Sequence, residues 1–159
     1  MDDLIFKIIA GIIVAVLTWS IPKALEWLQV KRNSQHLQGA WISRYQSIDN
    51  PDYFYNETVT VDVSFLKGKI KFVNSNCREG YLYNAFCLIV DRNFISGQWV
   101  STKKGASACG CVSLIVGPHG NIMYGYWSGY NEEGGRNYGK WILGRTQDDL
   151  DIAMGFLEK

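Results

Sequence analysis

The chain is poor in the side chains that most enzymes use. Its 159 residues include two histidines, His36 and His119, which fall in a linker and in a turn. No G-x-S-x-G, H-E-x-x-H or P-loop pattern occurs. Catalysis needs acids, bases or nucleophiles held in position, so no enzyme is expected and no cofactor is implied. Asp148, Asp149 and Asp151 cluster near the C-terminus. Solvation or the start of a helix accounts for them, and no metal-ligating partners accompany them. Prolines number only three and 47% of residues are hydrophobic, which excludes a disordered chain. Sixteen basic against 15 acidic side chains leave a formal charge of +1. That balance excludes a protein that grips a DNA or RNA polymer by bulk positive charge. The four cysteines, Cys77, Cys87, Cys109 and Cys111, lack zinc-type spacing. Free, partly buried thiols in a reducing compartment are the expectation.

What is present is unevenly placed. Residues 8–22 carry no charge, and Leu4 to Phe6 continue the apolar run beyond Lys7. At ~1.5 Å per residue a helix over 4–22 is about 28 Å long, close to a hydrocarbon core of ~30 Å. Lys7 is placed to snorkel, and Trp19 and Trp27 suit an interface. A buried core helix would keep a polar face, which 8–17 lacks. A cleaved signal peptide would begin basic, whereas this chain begins Asp2, Asp3. The reading is therefore an uncleaved single-pass anchor. Lys23, Lys31 and Arg32 on its C-terminal side place the following domain in the cytoplasm, at the inner membrane. The expected division is 1–35 for the anchor helix and linker, and 36–159 for the sensor domain.

From Gly39 onward, apolar and polar residues alternate with period two, broken by turn residues every 8–12 positions. Val59, Val61, Val63 and Phe65 share one face, while Thr58, Thr60, Asp62 and Ser64 share the other. Strands are expected at 41–46, 58–66, 69–73, 81–90, 95–102, 107–116, 121–128 and 138–145. Eight short antiparallel strands without intervening helices predict an all-β, eight-stranded antiparallel barrel of lipocalin/avidin-like type, preceded by the N-terminal transmembrane helix. Closure removes both exposed edges and leaves room for a packed core or one small ligand. Gly39-Ala40-Trp41 resembles the G-x-W opening of lipocalin and avidin-like barrels. Trp41 and Arg145 are expected to stack and plug one end.

Aromatics come from most of the strands, and cations lie near strand ends and loops. Rings stack on nucleobases and Arg or Lys pairs with phosphate. The candidate ligand-binding residues are Tyr45, Arg78, Tyr83, Trp99, Lys103, Tyr126 and Arg136. Packing inside the barrel is the competing role for each ring. Gly134-Gly135 beside Arg136 offers backbone that can approach a phosphate.

Three features combine: a short N-terminal apolar segment leading into Leu37-Gln38-Gly39-Ala40-Trp41, then Gly125-Tyr126-Trp127-Ser128-Gly129-Tyr130, then Gly139-Lys140-Trp141-Ile142-Leu143-Gly144-Arg145. Over essentially the whole chain this resembles the membrane-anchored β-barrel effectors of bacterial CBASS anti-phage defence, the SMODS-associating two-transmembrane β-strand-rich effectors. The resemblance implies a barrel that senses a cyclic di- or oligonucleotide, self-association into a homo-oligomer, and disruption of the bilayer in abortive infection. A related arrangement holds such an effector inactive with its nucleotide until phage depletes it. The family usually carries two membrane helices, whereas this sequence offers one span. A membrane-anchored lipocalin-like carrier and a scaffold with a solid barrel are the alternatives.

Overall fold

The computed structural model describes residues 2–64, 68–77, 82–91 and 93–158. A 33-residue helix α1 (Asp2–Ser34) opens the chain and passes through Pro22 without ending. A proline costs the helix a hydrogen bond and strains the turn before it, but does not have to stop it. The linker expected at 33–36 is thus largely helical, since Gln35–Leu37 forms a 3-10 turn directly after α1. Eight strands follow: β1 (Gly39–Ser47), β2 (Asn50–Ser64), β3 (Lys69–Cys77), β4 (Tyr83–Asp91), β5 (Phe94–Ser101), β6 (Cys109–Val116), β7 (Ile122–Tyr130) and β8 (Arg136–Gly144). A final helix α2 spans Gln147–Leu157.

Every strand pairs antiparallel with its neighbour in sequence, and β1 also pairs with β8 through Ile42–Gly144 and Tyr45–Trp141. The sheet is therefore a closed up-and-down barrel, as the alternation predicts. The expected phase holds: Val59, Val61, Val63, Ile70 and Phe72 are all buried. Phe65, expected on that face, lies outside the described residues. Several strands are longer than expected: β1 by a residue or two at each end, β3 on to Cys77, and β2 most of all. β2 starts at Asn50 rather than residue 58, because Phe54 and Tyr55 pair with Gln46 and Tyr45 of β1. Asn50-Pro51-Asp52 reads locally as a turn, and pairing across the hairpin overrides it.

The two ends of the barrel differ. Up-and-down order puts α1 and the β2–β3, β4–β5 and β6–β7 connections at one end. That end is plugged. Trp41 is 1% exposed and its indole N–H donates to the Leu37 carbonyl at 2.8 Å. The Arg145 guanidinium lies 4.0 Å from the Trp41 ring centroid. It donates to the carbonyls of Ala40, His36 and Gln38 at 2.7, 2.5 and 2.8 Å. The expected Trp41–Arg145 stack is thus observed. His36 also packs here, over Gly120, whose φ is +70°. Burial, and then the nearby Arg145 charge, hold the His36 imidazole below its ordinary pKa.

α2 explains a pattern that alternation does not. Ile122 with Met123, and Ile142 with Leu143, are buried neighbours, so apolar residues point both ways. Met123 and Leu143 fill the interior, while Ile122 and Ile142 meet Leu150 and Ala153 of α2 outside the barrel. Thr146 and Asp149 form a capping box at its start, satisfying two orphan backbone donors. The acidic group near the C-terminus therefore begins a helix.

Among the described residues no helix is long and apolar enough to cross a membrane. The charge-free stretch 8–22 covers about 22 Å at ~1.5 Å per residue, short of a ~30 Å hydrocarbon core. The expected transmembrane helix thus rests on the sequence run counted through Lys7 to Leu4. What the structure does show is bare apolar surface along α1. Ile12, Ile13, Val14, Val16, Leu17, Trp19 and Ile21 are each at least half exposed.

Candidate functional site: an aromatic cup

At the end away from α1 the barrel interior opens into a cup. Tyr45, Tyr83, Trp99, Ala108, Trp127, Tyr130, Asn131, Asn137 and Trp141 line it, and its volume is about 530 Å³ including the open mouth. Five of the barrel strands, β1, β4, β5, β7 and β8, and the connections next to them supply these residues. Each inward position follows from the period of two, so Tyr45 lies in phase with Trp41 on β1, and Trp141 with Asn137 on β8.

The rings meet edge to face around the wall. Tyr45 and Trp127 have centroids 6.1 Å apart at 85°, Trp127 and Trp99 5.8 Å at 80°. Trp99 and Tyr83 follow at 6.5 Å and 71°, then Tyr83 and Trp141 at 5.8 Å and 81°. Edge-to-face pairs are the favoured aromatic geometry because the positive ring edge meets the negative ring face. Trp99 fits because two glycines make room for it. A Cβ on Gly110 would sit 2.6 Å from its Nε1, and one on Gly129 2.6 Å from its Cζ2.

The indole protons are already engaged. Trp99 donates to the Ser128 carbonyl at 3.1 Å and Trp127 to the Gln46 carbonyl at 2.9 Å. Trp141 donates to Ser43 Oγ at 2.7 Å and to Glu57 Oε1 at 3.2 Å. Asn137 is tied to Ser47 and Asp49 at the rim.

Beneath the floor lies Glu57, 4% exposed on β2. Its Oε1 also accepts from Tyr83 Oη at 2.6 Å and Ser43 Oγ at 2.8 Å, and its Oε2 accepts from Asn74 Nδ2 at 2.5 Å. Two effects compete on this carboxyl. Burial penalises the anion, and the four donors from Tyr83, Ser43, Trp141 and Asn74 favour it. Burial is the larger, and the pKa is pushed up to about 7 from 4.5. Tyr83 and Trp141 both line the cup and both donate to Glu57, so the acid is coupled directly to the cup wall.

Of the residues singled out from sequence, Tyr45, Tyr83 and Trp99 come together in this cup. Tyr126 does not. It is one step out of phase with Trp127, points outward and is 56% exposed. Lys103 is exposed and pairs with Glu132 at 3.0 Å, linking the loop after β5 to the β7–β8 turn. Arg136 is exposed at the start of β8, paired in register with Tyr130, and is not part of the lining. Arg78 lies outside the described residues. Trp127, Trp141 and Glu57 were not chosen from sequence. Extending the Val59–Val61–Val63 phase by one step would have placed Glu57 inside the barrel.

Other candidate chemistry is absent from what is described. Among the described residues no three His, Cys, Asp or Glu side chains gather to hold a metal. Cys87 is buried and unpaired in the core, its thiol pushed up to about 12 by burial, while Cys109 and Cys111 are free on the outer face.

No known protein family and no curated protein matches the sequence. Among solved structures the chain is similar to a redesigned β-barrel, mFAP1, bound to DFHBI. The identity is 12% and the TM-score 0.53, over 72% of this chain and 99% of that one. A second redesigned barrel, b11L5F_LGL, gives 11% identity and a TM-score of 0.52 over 73% of this chain and 96% of its own. These likenesses define the class as a small closed β-barrel and go no further.

Proposed function

We propose that this chain is a membrane-tethered receptor whose barrel captures a small, water-borne molecule. The observation that carries the reading is the opposition of the two ends. The apolar helix joins the plugged end, and the aromatic cup opens at the other. With α1 in a bilayer, the cup faces the aqueous side. Bare Ile, Val and Leu side chains around α1 support that tether, since each fully covered one gains ~1.5–3 kcal/mol over exposure to water. Lys23, Lys31 and Arg32, the basic flank after Pro22, outnumber Lys7 on the other side and suit a single pass with the barrel in the cytoplasm.

The output proposed is that of an anti-phage effector. A cyclic di- or oligonucleotide binds the barrel, the chains self-associate, and clustered helices disrupt the inner membrane in abortive infection. Support comes from the order of helix and barrel and from stacking surfaces that suit a nucleobase. A ligand drives such a change only by binding the active state more tightly than the resting one. The same logic with opposite sign gives an effector restrained by its nucleotide. A second reading, a tethered lipocalin-like carrier of an apolar molecule, draws on the apolar cup wall. The mouth's position away from α1 weighs against direct lipid uptake.

The test uses the full chain. Carbonate-washed membranes should retain it, and Ile13→Asp should release it. Quenching of Trp99, Trp127 and Trp141 fluorescence should report binding from a panel of cyclic nucleotides and apolar ligands. A chain that washes off membranes, or quenches with no member of the panel, refutes the receptor reading.

A further inference from the structure

The cup's chemistry specifies more than its shape. Six rings, Tyr45, Tyr83, Trp99, Trp127, Tyr130 and Trp141, line it, with Asn131 and Asn137 among them. No Lys, Arg or His is among its lining residues. The three indole N–H groups are spent on Ser128, Gln46, Ser43 and Glu57. The Tyr83 hydroxyl proton is spent on Glu57, which leaves its oxygen only lone pairs to offer the cup. An anion entering here would lose its water and meet a wall of aromatic rings with no cation in it, above a buried carboxyl. A cation would meet the same groups with the opposite sign. Aromatic cages bind ammonium groups by this attraction, and it strengthens as water is excluded.

We propose that the cup is an aromatic box for a compact organic ammonium group, with the Glu57 carboxylate as its buried counter-charge. Glu57 does not touch the ligand. It acts through Tyr83 and Trp141, whose polar atoms it holds turned away from the mouth, and through its charge. The assignment rests on the receptor reading and narrows its ligand. A phosphate-bearing messenger would keep its phosphates outside the cup. Because the mouth lies away from α1, the ammonium is that of a solute rather than of a headgroup in the same bilayer.

The test is a tryptophan-quenching titration of the full chain in phosphatidylglycerol nanodiscs at about pH 8.5, above the pH near 7 at which Glu57 ionises. The probes are choline and its neutral isostere 3,3-dimethylbutan-1-ol. Choline should bind at least about tenfold more tightly, because the isostere offers the same shape without charge. Glu57→Gln should remove most of that ratio while leaving the isostere's affinity within about twofold. The wild-type ratio is decisive alone if the variant does not fold. Equal affinities, or no saturation by choline, overturn the proposal. A cyclic dinucleotide that quenches while choline does not overturns the cation assignment and leaves the receptor standing. Selective choline binding by a chain that carbonate washes off membranes supports the box and refutes the tether. Phosphatidylcholine nanodiscs should leave the choline curve unchanged, and competition by them overturns the solute assignment.

Discussion

Replacing Glu57 by Gln should change the pH dependence of stability in a way set by a single carboxyl. In the folded chain this group titrates near 7, against 4.5 when unburied. The folded state therefore binds its proton more tightly than the unfolded state does. Below pH 4.5 both states hold the proton and burial costs nothing in charge. As pH rises from there, the unfolded chain ionises first and gains, so stability falls until the folded carboxyl also ionises near pH 7. Above that the loss is constant. A shift of this size at ~1.4 kcal/mol per unit amounts to about 3 kcal/mol across the window. Glutamine has no such step. It also disturbs the bonds from Tyr83, Ser43, Trp141 and Asn74, but that offset does not vary with pH. The quantity to measure is the wild-type minus variant difference in unfolding free energy. Urea titrations of the full chain in detergent micelles between pH 4 and pH 8, followed by tryptophan fluorescence, supply it. The difference should fall by about 3 kcal/mol with increasing pH, centred between 4.5 and 7. A difference flat to within about 0.5 kcal/mol would mean that the four donors fully offset burial, and the reasoning would be wrong.

Two further outcomes test the plugged end. Arg145→Lys should destabilise the barrel by about 2 kcal/mol in the same assay, since an ammonium cannot place the fork that reaches Ala40, His36 and Gln38 while stacking on Trp41. A loss below about 0.5 kcal/mol would make the stack ornamental. Gly120→Ala should cost at least about 1 kcal/mol, because φ is +70° and the new Cβ would fall 2.2 Å from His36 Cδ2. Adding His36→Ala should recover only the steric share, and full recovery would show that the backbone conformation is not strained.

The barrel was legible because its signal is local and repeated. A closed antiparallel sheet with a packed interior forces alternation, so Val59, Val61, Val63 and Ile70, Phe72 announce their face in any window of five residues. Trp41 and Arg145 were legible as a pair because they flank the first and last strands of a sheet that must close. α2 was less so: Ile142 beside Trp141 and Leu143 breaks the alternation, but nothing in one strand says that a helix covers its outer face. The start of β2 was hidden for the converse reason, since Asn50-Pro51-Asp52 carries turn chemistry and only pairing with Gln46 and Tyr45 extends it.

The candidate site divides along the same line. Sequence named Tyr45, Tyr83 and Trp99 as aromatic candidates, but it had equal reason to name Tyr126, which the pleat turns outward one residue from Trp127. Lys103 and Arg136 were chosen as phosphate partners by charge alone, and the fold gives Lys103 to Glu132 and leaves Arg136 outside the cup. Glu57 is the clearest case. A single acid in a strand reads as a solvated residue until its phase, its depth and its four donors from four other strands are known.

By itself the sequence determined an apolar N-terminal run and eight alternating strands, because hydrophobic periodicity is a property of neighbours along the chain. Only the tertiary structure decided which end of the barrel is plugged and which rings face each other. It alone turned the indole protons away from the cup and placed a carboxyl beneath the floor. Those outcomes depend on closure, which brings β1 against β8 and sets residues nearly a hundred positions apart, such as Ser43 and Trp141, within a hydrogen bond of each other.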